Sequence, residues 1–186
     1  MPEIKISLAG DLGSGKSTVG RLLAEKFGAQ MYSTGTIQRE LAEKMGMTTL
    51  ELNKYSETHP EIDGMIDDGL RALNERKISV VIDSRMAWHF VPSSFSVYMS
   101  ADPAVAAARI MNAGRSSEPF SGIDEAIRSI AARRKSEQAR YMQLYGVDIM
   151  DMKNYDFVID TSEIPPELVA ERIAAAYEKS GKVGAK

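Results

Sequence analysis

The feature that most restricts this chain is Gly10–Thr18, GDLGSGKST, placed directly after the apolar run Ile4–Ala9. Glycine loses more conformational freedom on folding than any other residue, so a cluster of three must serve a close backbone approach. Gly10, Gly15, Lys16 and Ser17 fit the spacing G-x-x-x-x-G-K-[ST]. The context fits as well, because a buried strand enters the loop and an amphipathic helix leaves it. In such a loop the backbone N–H groups point inward, and the helix N-terminus adds partial positive charge. Bare amides crowd a polyphosphate only where side chains are absent, which accounts for Gly10, Gly13 and Gly15. Ser14 and Thr18 complete the loop's contacts. Lys16 reaches the β and γ phosphates, and the Ser17 hydroxyl suits Mg²⁺. This fixes a class of ligand, a nucleotide such as ATP, but no reaction, since many kinases and hydrolases share the loop.

The remaining pattern alternates. Glu3–Ala9, Gln30–Tyr32, Ile78–Ser84, Phe95–Met99 and Tyr155–Asp160 read as strands. Helices are expected over Ser17–Phe27, Thr36–Met45, a short segment from Thr48 or Thr49, Pro60–Arg76, Asp102–Asn112, Asp124–Tyr145 and Pro165–Lys179. That order predicts a three-layer α/β fold with a mainly parallel five-stranded sheet. One domain over 1–180 is expected, with a helical insertion at about 33–77, a polar lid at about 111–123 and a disordered tail at 181–186. Length and composition agree with one soluble domain. The net charge of −3 argues against binding to polymeric nucleic acid or an anionic membrane, so any anion site must be local. With no cysteine, a reducing cytoplasm is the natural expectation, and a monomer the simplest assembly.

Three further stretches bear on the reaction. In STGTIQR, Thr34 or Thr36 can cap a helix while Arg39 faces the sheet edge. A capped helix with a solvent arginine reads equally well there. In VIDSR, Asp83 and Arg85 lie at a strand's carboxyl end, where ligands of open α/β sheets bind. Asp83 can hold the Mg²⁺ shell and Arg85 can clamp a phosphate; the plain alternatives are a turn aspartate and a surface ion pair. In RRKSEQARY, Arg133, Glu137 and Arg140 share one helix face, as salt-bridged surface helices also do. Arg109 and Arg115 flank the polar loop, and a planar guanidinium binds phosphate oxygens in pairs.

The sequence GDLGSGKST, then STGTIQR, HPEIDGMID, IDSR and RRKSEQARYMQLYGVDIMDMKNYDFVIDTS resembles the cytidylate (CMP) kinase family in its compact archaeal form. The likeness covers about Ile4 to Tyr177. It implies a P-loop nucleoside-monophosphate kinase using ATP and Mg²⁺. By that resemblance Arg39 and Arg85 hold the acceptor phosphate, and Thr34 and Gly35 shape its pocket. Arg133 and Arg140 bridge donor and acceptor, Glu137 meets the ribose hydroxyls, and Arg109 and Arg115 approach ATP. Thr161–Glu163 lie near adenine. Two departures stand out. Longer bacterial members read cytosine with an aspartate where this chain has Met86, and the lid MNAGRSSEPFSG is less charged than expected. Asp63 and Asp67 are then candidates for the acceptor that the cytosine amino group needs. The rivals are a small-metabolite kinase with Asp83 as base, and a nucleotide-binding module without turnover.

Overall fold

The structure, a computed structural model, describes residues 3–113 and 120–182. Its centre is a parallel sheet of five strands: β1 (Lys5–Gly10), β2 (Gln30–Ser33), β3 (Val80–Asp83), β4 (Phe95–Ser100) and β5 (Phe157–Asp160), in the order β2-β3-β1-β4-β5. Alternate residues of a strand face opposite ways. Val80 and Ile82 therefore enter one core while Val81 enters the other. Burial on both faces explains why β3 reads as an unbroken apolar run.

Against one face pack α1 (Lys16–Phe27) and α8 (Pro166–Lys179), whose Val19, Leu23, Ile173 and Tyr177 meet Ile6, Leu8, Val97 and Met99. The other face is covered by α4 (Pro60–Glu75), the short helical turn α5 (Ala87–Phe90) and part of α7 (Ile123–Tyr145). Between β2 and β3 the chain inserts α2 (Thr34–Lys44), α3 (Thr49–Ser56) and α4, which build a small core of their own from Ala42, Leu52 and Ile62. The 23-residue α7 packs through Ala126 and Ile130 on Ala107 and Ile110 of α6 (Pro103–Asn112). Since all five strands run parallel, Gly10, Ser33, Asp83 and Ser100 end at one edge of the sheet, and the inserted helices and α7 flank that edge.

The structure departs from the sequence expectations at several points. Ser33, not Thr34 or Thr36, caps α2: its hydroxyl accepts from Thr36 N at 3.3 Å, so the helix starts two residues early. Residues 87–90 form α5 rather than a loop, and Met152–Asn154 form a 3₁₀ turn. Order extends into the expected tail. Lys182 Nζ donates to Ser94 O at 3.0 Å and to Asp156 Oδ2 at 2.8 Å, which holds the segment after α8 on the body of the sheet. Residues 183–186 lie outside the described residues, as do 114–119 of the expected lid, including Arg115.

Candidate active site

The loop Gly10–Gly15 leaves β1 and turns into α1. Two of its glycines are required by what packs behind them. A Cβ on Gly10, at φ +133°, would sit 2.1 Å from Met99 O of β4, and one on Gly13, at φ +77°, would sit 2.5 Å from Ala106 O of α6. The bareness expected for a ligand thus coincides with tight packing of the loop between β4 and α6.

Lys16 curls over this loop. Its Nζ donates to Asp11 O at 2.5 Å and to Gly10 O at 3.1 Å. Burial pushes its pKa down to about 8, against the pull of the nearby Asp83 carboxylate. An ammonium so desolvated gains from any anion brought within reach. Beside it the Ser17 hydroxyl donates to Asp83 Oδ2 at 2.8 Å. The two residues expected to face Mg²⁺ are therefore in contact, though they come from different strand–helix junctions. A hydroxyl and a carboxylate are hard oxygen donors and fit that ion. Among the described residues no group of three or more His, Cys, Asp or Glu could hold a metal unaided.

At the end of β3, Arg85 Nε lies 2.5 Å from Glu137 Oε2, and Arg133 Nε donates to Glu137 Oε1 at 3.0 Å. Glu137 is 1% exposed. Burial works to raise its pKa, but Arg85 and Arg133 outweigh that and hold the carboxyl below the usual carboxylate range. Its carboxylate is thus taken up as the buried counter-ion of two arginines rather than turned toward a sugar.

The cleft beside the loop encloses about 290 Å³ and is lined by Lys16, Ser17, Asp83, Arg85, Arg109 and Arg133, with Gly35 and Arg39 at one side. Its other end is formed by Thr161, Ile164, Pro166 and Val169. There Arg109 donates to Thr161 O at 2.7 Å and to Thr161 Oγ1 at 3.2 Å. Arg39 Nη2 donates to Thr36 Oγ1 at 3.0 Å, and Thr34 Oγ1 donates to Asp83 O at 3.3 Å, so α2 is tied to the end of β3.

Arg140 and Asp63 lie elsewhere. Arg140 is 5% exposed, does not line the cleft, and has its Nε 2.8 Å from Asp63 Oδ2 while Nη1 donates to Asn53 Oδ1 at 3.1 Å. Asp63 is buried with it. Tyr145 donates its hydroxyl to Asp67 Oδ2, whose pKa is pushed up to about 6 chiefly by burial. Met86 is 2% exposed and belongs to the core under β3. His59 stacks on Tyr55 at 3.6 Å, and His89 packs among Trp88, Phe90 and Tyr145.

The sequence reading passed over Asp11, Tyr98 and Arg134. Asp11 Oδ1 accepts from Tyr98 Oη at 2.8 Å and pairs with Arg134 Nη2 at 2.6 Å. The only signal for it was an aspartate inside the glycine loop, which local pattern cannot distinguish from a turn residue.

A glycine loop with its lysine, a serine–aspartate pair at the loop's foot and arginines over one cleft, on a parallel sheet of this strand order, define a P-loop kinase. The solved structures agree on the fold: a shikimate kinase from Acinetobacter baumannii superposes with a TM-score of 0.61 over 95% of its chain and 97% of this one, at 19% identity. The model of the cytidylate kinase-like family matches residues 5–163, and the chain belongs to that family. A cytidylate kinase of Thermoplasma volcanium is 37% identical over 90% of this chain and 87% of its own. An S-adenosylmethionine-dependent nucleotide dehydratase of Lacinutrix mariniflava is also 37% identical, over 96% of this chain, but the chain spans only 37% of that protein's length. No described helix is long and apolar enough to cross a membrane.

Proposed function

We propose that this protein transfers the γ-phosphoryl group of ATP to CMP, giving ADP and CDP, with Mg²⁺ bound at Ser17 and Asp83. The observation that carries the reading is the pair of arginines, Arg85 and Arg133, held by one buried carboxylate beside the lysine of the glycine loop. A phosphate acceptor brings its own nucleophile. The second pKa of a phosphate monoester is about 6, so an acceptor oxygen is largely anionic near neutral pH and no base is needed. That oxygen attacks the γ-phosphorus in line, and the bond to the β,γ-bridging oxygen breaks. The chain's work is positioning and charge stabilisation. Lys16 and the loop amides hold the donor phosphates. Arg39 and Arg85 orient the acceptor phosphate, and Arg133 meets the charge that spreads over the transferred group. Mg²⁺, when bound, supplies charge neutralisation at the donor phosphates. Arg109, Thr161 and Ile164 enclose the adenine side of the cleft.

The small-metabolite rival needs Asp83 as a base. Asp83 Oδ2 instead accepts from the Ser17 hydroxyl, the arrangement suited to a metal shell. The Lacinutrix relative is named for chemistry on a nucleotide, which agrees with the ligand class. The reading includes a monomer in a reducing cytoplasm, which a cysteine-free chain suits. It also assigns acceptor binding to the helices inserted between β2 and β3.

The test is an initial-rate panel of CMP, dCMP, UMP, other nucleoside monophosphates and small alcohols with Mg·ATP, read by ADP release. The highest kcat/KM should fall on CMP or dCMP. Turnover of an alcohol above every monophosphate, or ATP binding without turnover, would defeat the proposal.

A further inference from the structure

Asp11 and Arg134 lie outside the set of residues assigned to the reaction, yet they join its two halves. Asp11 is built into the loop at three points. Its N–H donates to Met99 O at 2.9 Å, its carbonyl accepts from Lys16 Nζ at 2.5 Å, and its carboxylate accepts from Tyr98 Oη at 2.8 Å and from Ala101 N at 3.1 Å. The carboxylate is 8% exposed and is thus fixed by β4 and the segment after it before any partner is counted. Onto this anchored acid comes Arg134 of α7, with Nη2 at 2.6 Å from Oδ1.

Successive helical residues point about 100° apart. Arg133 and Arg134 therefore reach different acids: Arg133 turns to Glu137, itself paired with Arg85 from the end of β3, and Arg134 turns to Asp11 on the phosphate loop. α7 is thus held at two points, by Glu137 to Arg85 just after β3 and by Arg134 to Asp11 just after β1, and cannot roll about its axis without breaking one contact. Arg85, Glu137, Arg134 and Asp11 all line one small cavity between the loop and α7, which places both attachments on the same seam.

We propose that Asp11 and Arg134 are a positioning pair that fixes α7 against the phosphate loop, so that Arg133 stands in register with Lys16. This rests on the kinase reading above. The pair touches no reacting atom. The Arg134 side chain is 37% exposed, and an ion pair at such a site contributes little to stability. A merely structural role thus predicts small changes throughout. A positioning role predicts a selective loss of rate, because slight misplacement of a catalytic group can cost up to about a hundredfold.

Arg134→Ala, Arg134→Lys, Asp11→Asn and the double variant Asp11→Asn/Arg134→Ala test it. Arg134→Ala should lower kcat about tenfold to a hundredfold, with both nucleotide KM values changed by less than about threefold and Tm nearly unchanged. Guanidinium chloride at about 20 mM, far below the molar range that unfolds small domains, should restore part of the lost rate in Arg134→Ala and none in Asp11→Asn. The double variant should be no slower than the slower single variant. Arg134→Lys should fall between parent and alanine variant. Amides of residues 133–141 should exchange faster in Arg134→Ala than in the parent, a readout that needs no substrate. The proposal is overturned by a kcat within twofold of the parent, by additive losses in the double variant, or by unchanged exchange in α7. A parent inactive on every monophosphate defeats the kinase reading instead, and the exchange result still decides the pairing of Asp11 with Arg134.

Discussion

Replacing Glu137 by Gln removes one negative charge from a position 1% exposed, where Arg85 Nε stands at 2.5 Å and Arg133 Nε at 3.0 Å. Breaking a buried ion pair by neutralising one partner costs about 3–5 kcal/mol, because the remaining charge stays desolvated. Here two guanidinium groups lose their shared counter-ion, so the upper part of that range applies. A domain of this size loses about 2–4 °C of Tm per kcal/mol, so the variant should melt roughly 10–15 °C below the parent at pH 7.5 and low salt. The deficit should be specific to anion-free buffer. Inorganic phosphate at about 10 mM can reach Arg85 and Arg133 from the cleft that they line, and should raise the variant's Tm more than the parent's. The pH dependence has a definite sign. The folded-state pKa of Glu137 is lowered, so its contribution is complete above the ordinary carboxylate value and is lost as pH falls through the lower folded value. The gap between parent and variant should begin to narrow as pH falls below the ordinary glutamate value and should close only below the lower folded value. Scanning calorimetry with and without phosphate measures all three effects. A Tm within about 2 °C of the parent, or equal stabilisation of both proteins by phosphate, would refute the counter-ion argument.

Gly13→Ala and Gly15→Ala separate backbone strain from packing. Both glycines have positive φ, at +77° and +87°, but a Cβ at Gly13 meets Ala106 O at 2.5 Å whereas one at Gly15 meets nothing within 4 Å. Gly15→Ala should cost about 1–2 kcal/mol, and Gly13→Ala measurably more; equal losses in urea melts would show that the approach to α6 has no weight. The kcat/KM for ATP should fall above a pKa of about 8 as Lys16 loses its proton in the free enzyme, and a profile flat to about pH 9.5 would contradict the burial assigned to that ammonium.

The parts legible in the sequence were those written in local pattern. The glycine loop, the apolar runs of β1, β3 and β4, and the helix beginning at Pro60 depend on neighbours within a few residues, and they stand where expected. Chemistry at the carboxyl edge followed from the parallel order, which explains why Asp83 and Arg85 could be placed without coordinates. What was hidden depends on the register of distant segments. Nothing near Glu137 in the sequence says that its carboxylate meets Arg85 rather than a ligand, and nothing near Arg134 points to Asp11. Arg140 and Asp63 were both singled out, but their mutual pairing arises only when α4 and α7 pack together. Lys182 was assigned to a loose tail because its anchors, Ser94 and Asp156, lie on segments that the sequence does not mark as neighbours.

Met86 belongs to the core and not to the lining of the cleft. The side chain is 2% exposed and packs with Leu70, Val80 and Tyr141 beneath the sheet. An engineer who transplanted the bacterial aspartate to this position would set an ionised oxygen among hydrocarbon, with the fold rather than the substrate bearing the consequence. A charge placed at this position would therefore be read out as lost stability before any change in the cleft.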